Sequence, residues 1–151
     1  MFRRADERDL PAIVDLLRDD EFGATRNPAF EDAEDAYRNA FARLCGPDNG
    51  EIVAVEDGLV IGCYQLTFVA GLSFTGGERA MIESVRISSG RRAGGLGTLM
   101  MRDAIQRAEA RKCVLVQLTT DVRREHTRRF YERLGFAASH HGMKLALHRE
   151  R

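Results

Sequence analysis

The segment Met81–Met101, MIESVRISSGRRAGGLGTLMM, constrains this chain more than any other. A stretch of strand character runs into four glycines and two arginines between Gly90 and Gly97, and a helical pattern follows at once. Leu99, Met100, Ala104, Ile105 and Ala108 form the apolar side of that helix, predicted over Gly97–Ala110. A helix needs no such preface for its own sake. Its first N–H groups lack intrahelical partners and its N-terminus carries about half a positive charge. A glycine-rich entry therefore lets a phosphate reach those donors without meeting a Cβ atom. Arg91 and Arg92 add full charges beside it. The same glycines equally suit a tight strand-to-helix turn that binds nothing.

The remaining elements follow from periodicity and turn chemistry. FRRA opens as a strand, and an Asp9-led helix follows with Pro11 in its first turn and Leu10, Ile13, Val14, Leu16 and Leu17 as its stripe. A second helix is expected over Glu31–Leu44, with Ala33, Tyr37, Ala40, Phe41 and Leu44 at helical spacing. EIVAVEDGLVIGCYQLTFV reads as two strands joined at Asp57-Gly58, a strong hairpin signal. ERAMIESVRI is a further strand, in which Met81, Glu83, Val85 and Ile87 alternate onto one face. CVLVQLTT suits a strand covered on both faces. A short helix near Glu125–Leu134 stops at Gly135, and a final strand is expected over Met143–His148. The order is βααβββαβαβ, an α/β chain forming one domain over residues 1–151, with no repeat, low-complexity tract or linker.

Composition narrows the class. Hydrophobic residues at 44% and charged residues at 30% exclude a disordered or fibrous chain. No run of about 18 apolar residues and no signal-peptide core is present, so a cytoplasmic location without a membrane partner is expected. Cys45, Cys63 and Cys113 are widely spaced and read as reduced thiols, with no metal site implied. Net charge is zero, yet residues 1–78 carry 7 basic and 16 acidic side chains whereas residues 79–151 carry 16 and 7. An anionic ligand on the second half would explain this asymmetry, and so would attraction between the halves.

The glycine run lacks the Lys-Ser/Thr ending of a P-loop and the G-x-G-x-x-G spacing of a dinucleotide site. Arg92–Gly97 instead has the form R-x-x-G-x-G, and some 30 residues downstream lies RRFYERLGF, Arg128–Phe136. Together with the βαα start, these resemble the GNAT superfamily of acetyl-CoA-dependent N-acetyltransferases over nearly the whole chain. The resemblance implies a mostly antiparallel central sheet with helices on both faces. It also implies acetyl-CoA as cosubstrate, with its pyrophosphate held by Arg91, Arg92, Ala93, Gly94, Gly95, Gly97 and Thr98. Main-chain groups of Val85 and Ile87 would bind the pantetheine arm and polarise the thioester. One departure stands out: where many members have asparagine, seven positions before the tyrosine, this chain has Arg124.

The implied reaction moves an acetyl group to a primary amine by direct transfer in a ternary complex. An amine of pKa about 10.4 is neutral in only about one molecule in 2,500 at pH 7, a deficit near 4.6 kcal/mol, so a base is required. Glu83 is the candidate general base, alone or through a water, and Tyr131 the candidate general acid for the departing thiolate. Solvated or core roles remain the alternatives for each. His126, His140 and His141 are weaker candidates as proton carriers, and no cysteine has neighbours that would activate it. In the family the acceptor is set by the early helices and the loops around them, where this chain carries Asp19-Asp20-Glu21 and Glu31-Asp32-Glu34-Asp35; these acids suit a small cationic amine and equally suit a solvated helix face. Two other classes compete: a module that senses acyl-CoA without turnover, and an arginine-rich nucleic-acid binder built on Arg123, Arg124, Arg128 and Arg129. No nucleic-acid motif accompanies those arginines, so no nucleic-acid partner is expected. Homodimers are common in the family.

Overall fold

The structure is a computed structural model, and it describes residues 1–20 and 23–148. The chain falls into two compact units, Met1–Leu118 and Thr119–Arg151. The first holds β1 (Phe2–Arg4), α1 (Leu10–Arg18), α2 (Gly23–Arg26), α3 (Glu34–Leu44), β2 (Gly50–Asp57), β3 (Leu59–Val69), a four-residue turn α4 (Ser73–Gly76), β4 (Arg79–Ile87), α5 (Leu96–Ala110) and β5 (Leu115–Gln117). The second holds α6 (Glu125–Arg133). Among the described residues no helix is long and apolar enough to cross a membrane.

The five strands lie in sequence order β1-β2-β3-β4-β5. All neighbours are antiparallel except β4 and β5, which run parallel with Arg79 opposite Leu115. The β2–β3 hairpin turns at Gly58, whose φ of +74 is a left-handed value that glycine adopts at little cost. Successive residues of β3 feed opposite faces of the sheet. Cys63 packs with Ile13 and Leu16 of α1. Tyr64, fully buried, donates its hydroxyl to Asp103 of α5 at 2.5 Å. Helices therefore cover both faces, as expected for an α/β chain of this order. Arg107, one turn beyond Asp103, holds that carboxylate at 2.8 Å and reaches Glu51 of β2 at 3.5 Å. Met100, Met101, Ala104 and Ala108 are the buried side of α5, and fully burying a side chain of methionine size stabilises by roughly 1.5–3 kcal/mol.

Several expectations need correction. The segment expected as one helix over Glu31–Leu44 divides into a 3-10 turn, Phe30–Asp32, and α3. No residue of α3 is buried, and Ala40 is exposed. The helix is instead held locally, by Tyr37 stacked on Phe30 at 6.2 Å and donating to Pro28 O at 2.6 Å. The apolar run CVLVQLTT yields only the three half-buried residues of β5, at the sheet edge among the described residues. The expected final strand over Met143–His148 is not formed. Alternation is a local pattern, whereas a strand exists only where a neighbour accepts its main-chain bonds. Met143, Leu145 and Leu147 are left exposed.

The start of α1 is tied to β1 by charge. Asp9 is buried, receives both Arg3 Nη1 and Nη2 at 2.7 and 2.8 Å, and accepts from the Asp6 N–H at 2.8 Å. The Arg3 guanidinium chiefly holds the Asp9 carboxyl below the ordinary carboxylate range. A lowered folded-state pKa contributes stability that is present above the unfolded value and lost as pH falls through the folded one. Asp9→Asn should therefore cost about 1–3 kcal/mol at neutral pH. In urea titrations the gap from the unmutated protein should narrow as pH drops below the ordinary value of 3.8.

Candidate active site

The site begins with an irregularity in β4. Gln65 of β3 lies opposite Glu83, and Cys63 lies opposite Arg86, so Tyr64 alone faces both Ser84 and Val85. One extra residue on β4 makes this a β-bulge. Ser84 supplies it with φ +52, a left-handed value uncommon outside glycine. Directly opposed residues share a face, which corrects the expected alternation. Met81 and Glu83 share the face of Thr67 and Gln65, but beyond the bulge Arg86 takes that face and Ile87, opposite Gly62, leaves it. The adjacent polar pair Glu83-Ser84 is the one sequence signal of this break.

Two donors hold the carbonyls of the bulge. The Cys63 thiol donates to Ser84 O at 3.9 Å, and Arg86 Nη1 donates to Val85 O at 3.0 Å. Burial pushes the Cys63 thiol up to about 12, so it stays a protonated donor. Burial also raises the half-buried thiols of Cys45 and Cys113, and all three cysteines are free. Glu83 is exposed on the α1 side of the sheet.

The strand ends as Ser88 N–H donates to Ile61 O at 2.8 Å, and the 3-10 turn Ser89–Arg91 leads to α5. Gly95, with φ +77, stands at the N-cap, and no side chain among the described residues caps the helix. A Cβ at Gly94 or at Gly95 would meet no atom within 4 Å. Open space thus lies over a 15-residue helix whose leading amides are uncapped by any side chain. That arrangement fits a diphosphate by charge and by shape. Ala93 is exposed, whereas Gly97 and Thr98 are half-buried in the first turn of α5.

The arginines of the loop are braces. Arg91 Nη1 meets Asp57 at 2.8 Å. Arg92 donates Nε to Ile87 O at 3.1 Å and Nη2 to Asp19 O at 3.1 Å, with the Asp19 carboxylate at 3.4 Å. Arg86 Nη2 lies 3.3 Å from Asp20, and Arg26 lies 3.9 Å from the same carboxylate. Asp19 and Asp20 are therefore neutralised locally, while Glu21 lies outside the described residues. Sequence inspection missed Arg86 and Cys63 because their roles exist only once the bulge places them.

In the second unit, Tyr131 is half-buried on α6, edge-on to Phe130 at 5.2 Å and to Phe136 at 5.8 Å. Burial raises its phenol above the ordinary value, which keeps it protonated at neutral pH. Gly135, with φ +101, turns the chain after α6, and Phe136 N–H donates back to Tyr131 O at 3.1 Å. Arg124 is the N-cap residue of α6 and makes no side-chain cap. Arg123, Arg128 and Arg129 pair with Asp121, Glu132 and Glu125 of the same segment.

Comparison with known proteins agrees with this architecture. A family model for the acetyltransferase (GNAT) family matches residues 10–136. A transcriptional regulator from Bacillus halodurans C-125, known from its crystal structure, is 39% identical with a TM-score of 0.91, covering 97% of this chain and 99% of that one. An acetyltransferase from Trypanosoma brucei is 25% identical with a TM-score of 0.78, covering 97% and 99%. A predicted acetyltransferase from Clostridium acetobutylicum, solved with acetyl-CoA, shares the fold at 18% identity and TM-score 0.76, covering 97% and 96%. No curated protein sequence gives a match. With the family model spanning most of its length, and with a bulged strand leading through open glycines to an uncapped helix, the chain belongs to the GNAT family of acetyltransferases.

Proposed function

We propose that this protein transfers an acetyl group from acetyl-CoA to the nitrogen of a primary amine, directly and as a single domain. The observation that carries this reading is the open glycine entry to α5 immediately after a strand that presents Glu83. Acetyl-CoA would supply the acetyl thioester. Main-chain amides at Gly95, Gly97 and Thr98 hold its diphosphate, with Ala93 and Gly94 giving close approach. Arg91 and Arg92 shape the loop and add charge. Main-chain groups of Val85 and Ile87 orient the pantetheine arm and the thioester carbonyl. Glu83 takes the proton released when the amine nitrogen attacks, directly or through a water. Tyr131 donates its phenolic proton to the departing sulfur.

The three free thiols carry raised pKa values, which disfavours a thiolate nucleophile and supports direct transfer. Glu31, Asp32 and Asp35 are exposed, and they support a small cationic acceptor more than the paired Asp19 and Asp20 do. A mass-spectrometric screen of amines with acetyl-CoA tests this directly. Polyamines, aminoglycosides or lysine-like amines should lead it, and a lead by neutral amino acids would overturn the cationic assignment.

Two sets of variants examine the roles. Gly94→Ala places a methyl in empty space. Its thermal midpoint should hold while the calorimetric Kd for CoA rises about 10- to 100-fold, since charge-assisted bonds to the diphosphate lengthen. Tyr131→Phe and Glu83→Gln should each lower kcat by about 10² to 10⁴ with little change in CoA affinity. Unchanged rates in both would remove these assignments.

A further inference from the structure

The β4 bulge bears on catalysis through a side chain that no expected role included. We propose that Arg86 is a positioning residue for acyl transfer: its guanidinium fixes the main chain of the bulge against which the acetyl thioester lies. This rests on the acetyltransferase reading above.

Arg86 spans two fixed points. Nη2 is anchored 3.3 Å from Asp20, just beyond α1, and both side chains are largely covered, 26% and 21% exposed. Nη1 donates to Val85 O at 3.0 Å. Because the guanidinium is planar and rigid, anchoring one arm directs the other. A peptide unit is planar as well, so pinning the Val85 carbonyl orients the whole plane it shares with the Arg86 N–H. The Cys63 thiol pins the preceding carbonyl, Ser84 O, at 3.9 Å. Consecutive carbonyls at the irregular point of β4 are thus each held by a side chain.

The register adds direction. Arg86 stands on the Glu83 face of the sheet, so the anchor lies on the side from which an amine activated by Glu83 would attack. Nε is buried with no hydrogen-bond partner among the described residues, and leaving such a donor unsatisfied costs about 1–3 kcal/mol. A surface arginine serving only solubility would not be held this way.

The test uses the full chain with Arg86→Met and Arg86→Lys. Four quantities are read: the infrared carbonyl band of bound isotope-labelled acetyl-CoA, kcat with the best amine from the screen, the calorimetric Kd for free CoA, and the thermal midpoint. In the unmutated protein the carbonyl band should move to lower wavenumber on binding. Arg86→Met should lose that displacement and about 10- to 100-fold in kcat, while free CoA, which has no acetyl carbonyl, binds within about twofold. Arg86→Lys keeps the charge without the fork and should fall between. An undisturbed band and rate in Arg86→Met would overturn the proposal. So would a parallel fall of rate, CoA affinity and thermal midpoint, which is the mark of a merely structural residue. Should Arg86→Met fail to fold, an undisturbed band in Arg86→Lys overturns it. An unmutated protein that binds CoA yet shows neither carbonyl displacement nor acetylation of any amine overturns the acetyltransferase reading itself.

Discussion

One inserted residue in β4 decides where the functional groups of the first unit stand. Side chains alternate along a strand with period two, so a single extra residue exchanges the faces of everything after it. Ser84 is that residue. Before it, Ile82 is buried and Glu83 exposed; after it, Arg86 joins the Glu83 face and Ile87 crosses over. A non-glycine residue with left-handed φ costs on the order of 1–3 kcal/mol and persists only where its surroundings over-determine it. Regular pairing from Leu66 to Val69 on one side and at Gly62 on the other supplies that restraint. Two side-chain hydrogen bonds, worth roughly 0.5–1.5 kcal/mol each, offset much of the cost.

The same region resolves the charge asymmetry between the two halves of the sequence. Arg86, Arg91, Arg92, Arg107 and Arg111 all belong to the basic half, and they pair with Asp20, Asp57, Asp19, Glu51 and Glu78 of the acidic half. Attraction between the halves within one unit accounts for these five. Arg111 also lies over the Phe68 ring at 3.9 Å, so its planar group packs as well as pairs. On α6 Arg128 and Arg129 are matched by acids one turn away, and Arg123, just before the helix, pairs with Asp121. A nucleic-acid surface requires guanidinium groups free to meet phosphates, and most of the arginines that suggested one are occupied.

What could be read from the residues depended on the range of the interaction. The Asp57-Gly58 hairpin and the glycine entry to α5 are set by local conformational preference, and both stand where expected. Elements that depend on distant partners fared differently. Met143–His148 alternates as a strand should, yet no strand among the described residues receives it. Tyr37 and Phe41 have helical spacing, but spacing does not say whether a core lies opposite, and Tyr37 turns to Phe30 and Pro28 instead. Glu83 and Ser84 side by side were the visible trace of the bulge. Its consequence for Arg86 depends on pairing with Cys63, twenty-three residues away, which no periodicity encodes.

Amides and arginines would divide the work at the loop proposed to take the diphosphate. The uncapped turn of α5 offers fixed donors that need no rearrangement to meet a diphosphate. Arg91 and Arg92 are about half exposed and already engaged with Asp57 and Asp19. Exposed pairs of this kind are worth roughly 0–1 kcal/mol, less than a charge-assisted bond to a phosphate at about 1.5–3 kcal/mol. Either guanidinium can therefore leave its carboxylate for an arriving diphosphate at small cost. Until then, Arg92 keeps the end of β4, the loop and the turn after α1 in one arrangement through Ile87 O and Asp19 O. In the proposed site the glycines would supply access and the helix standing affinity, while the arginines already hold the entry in shape.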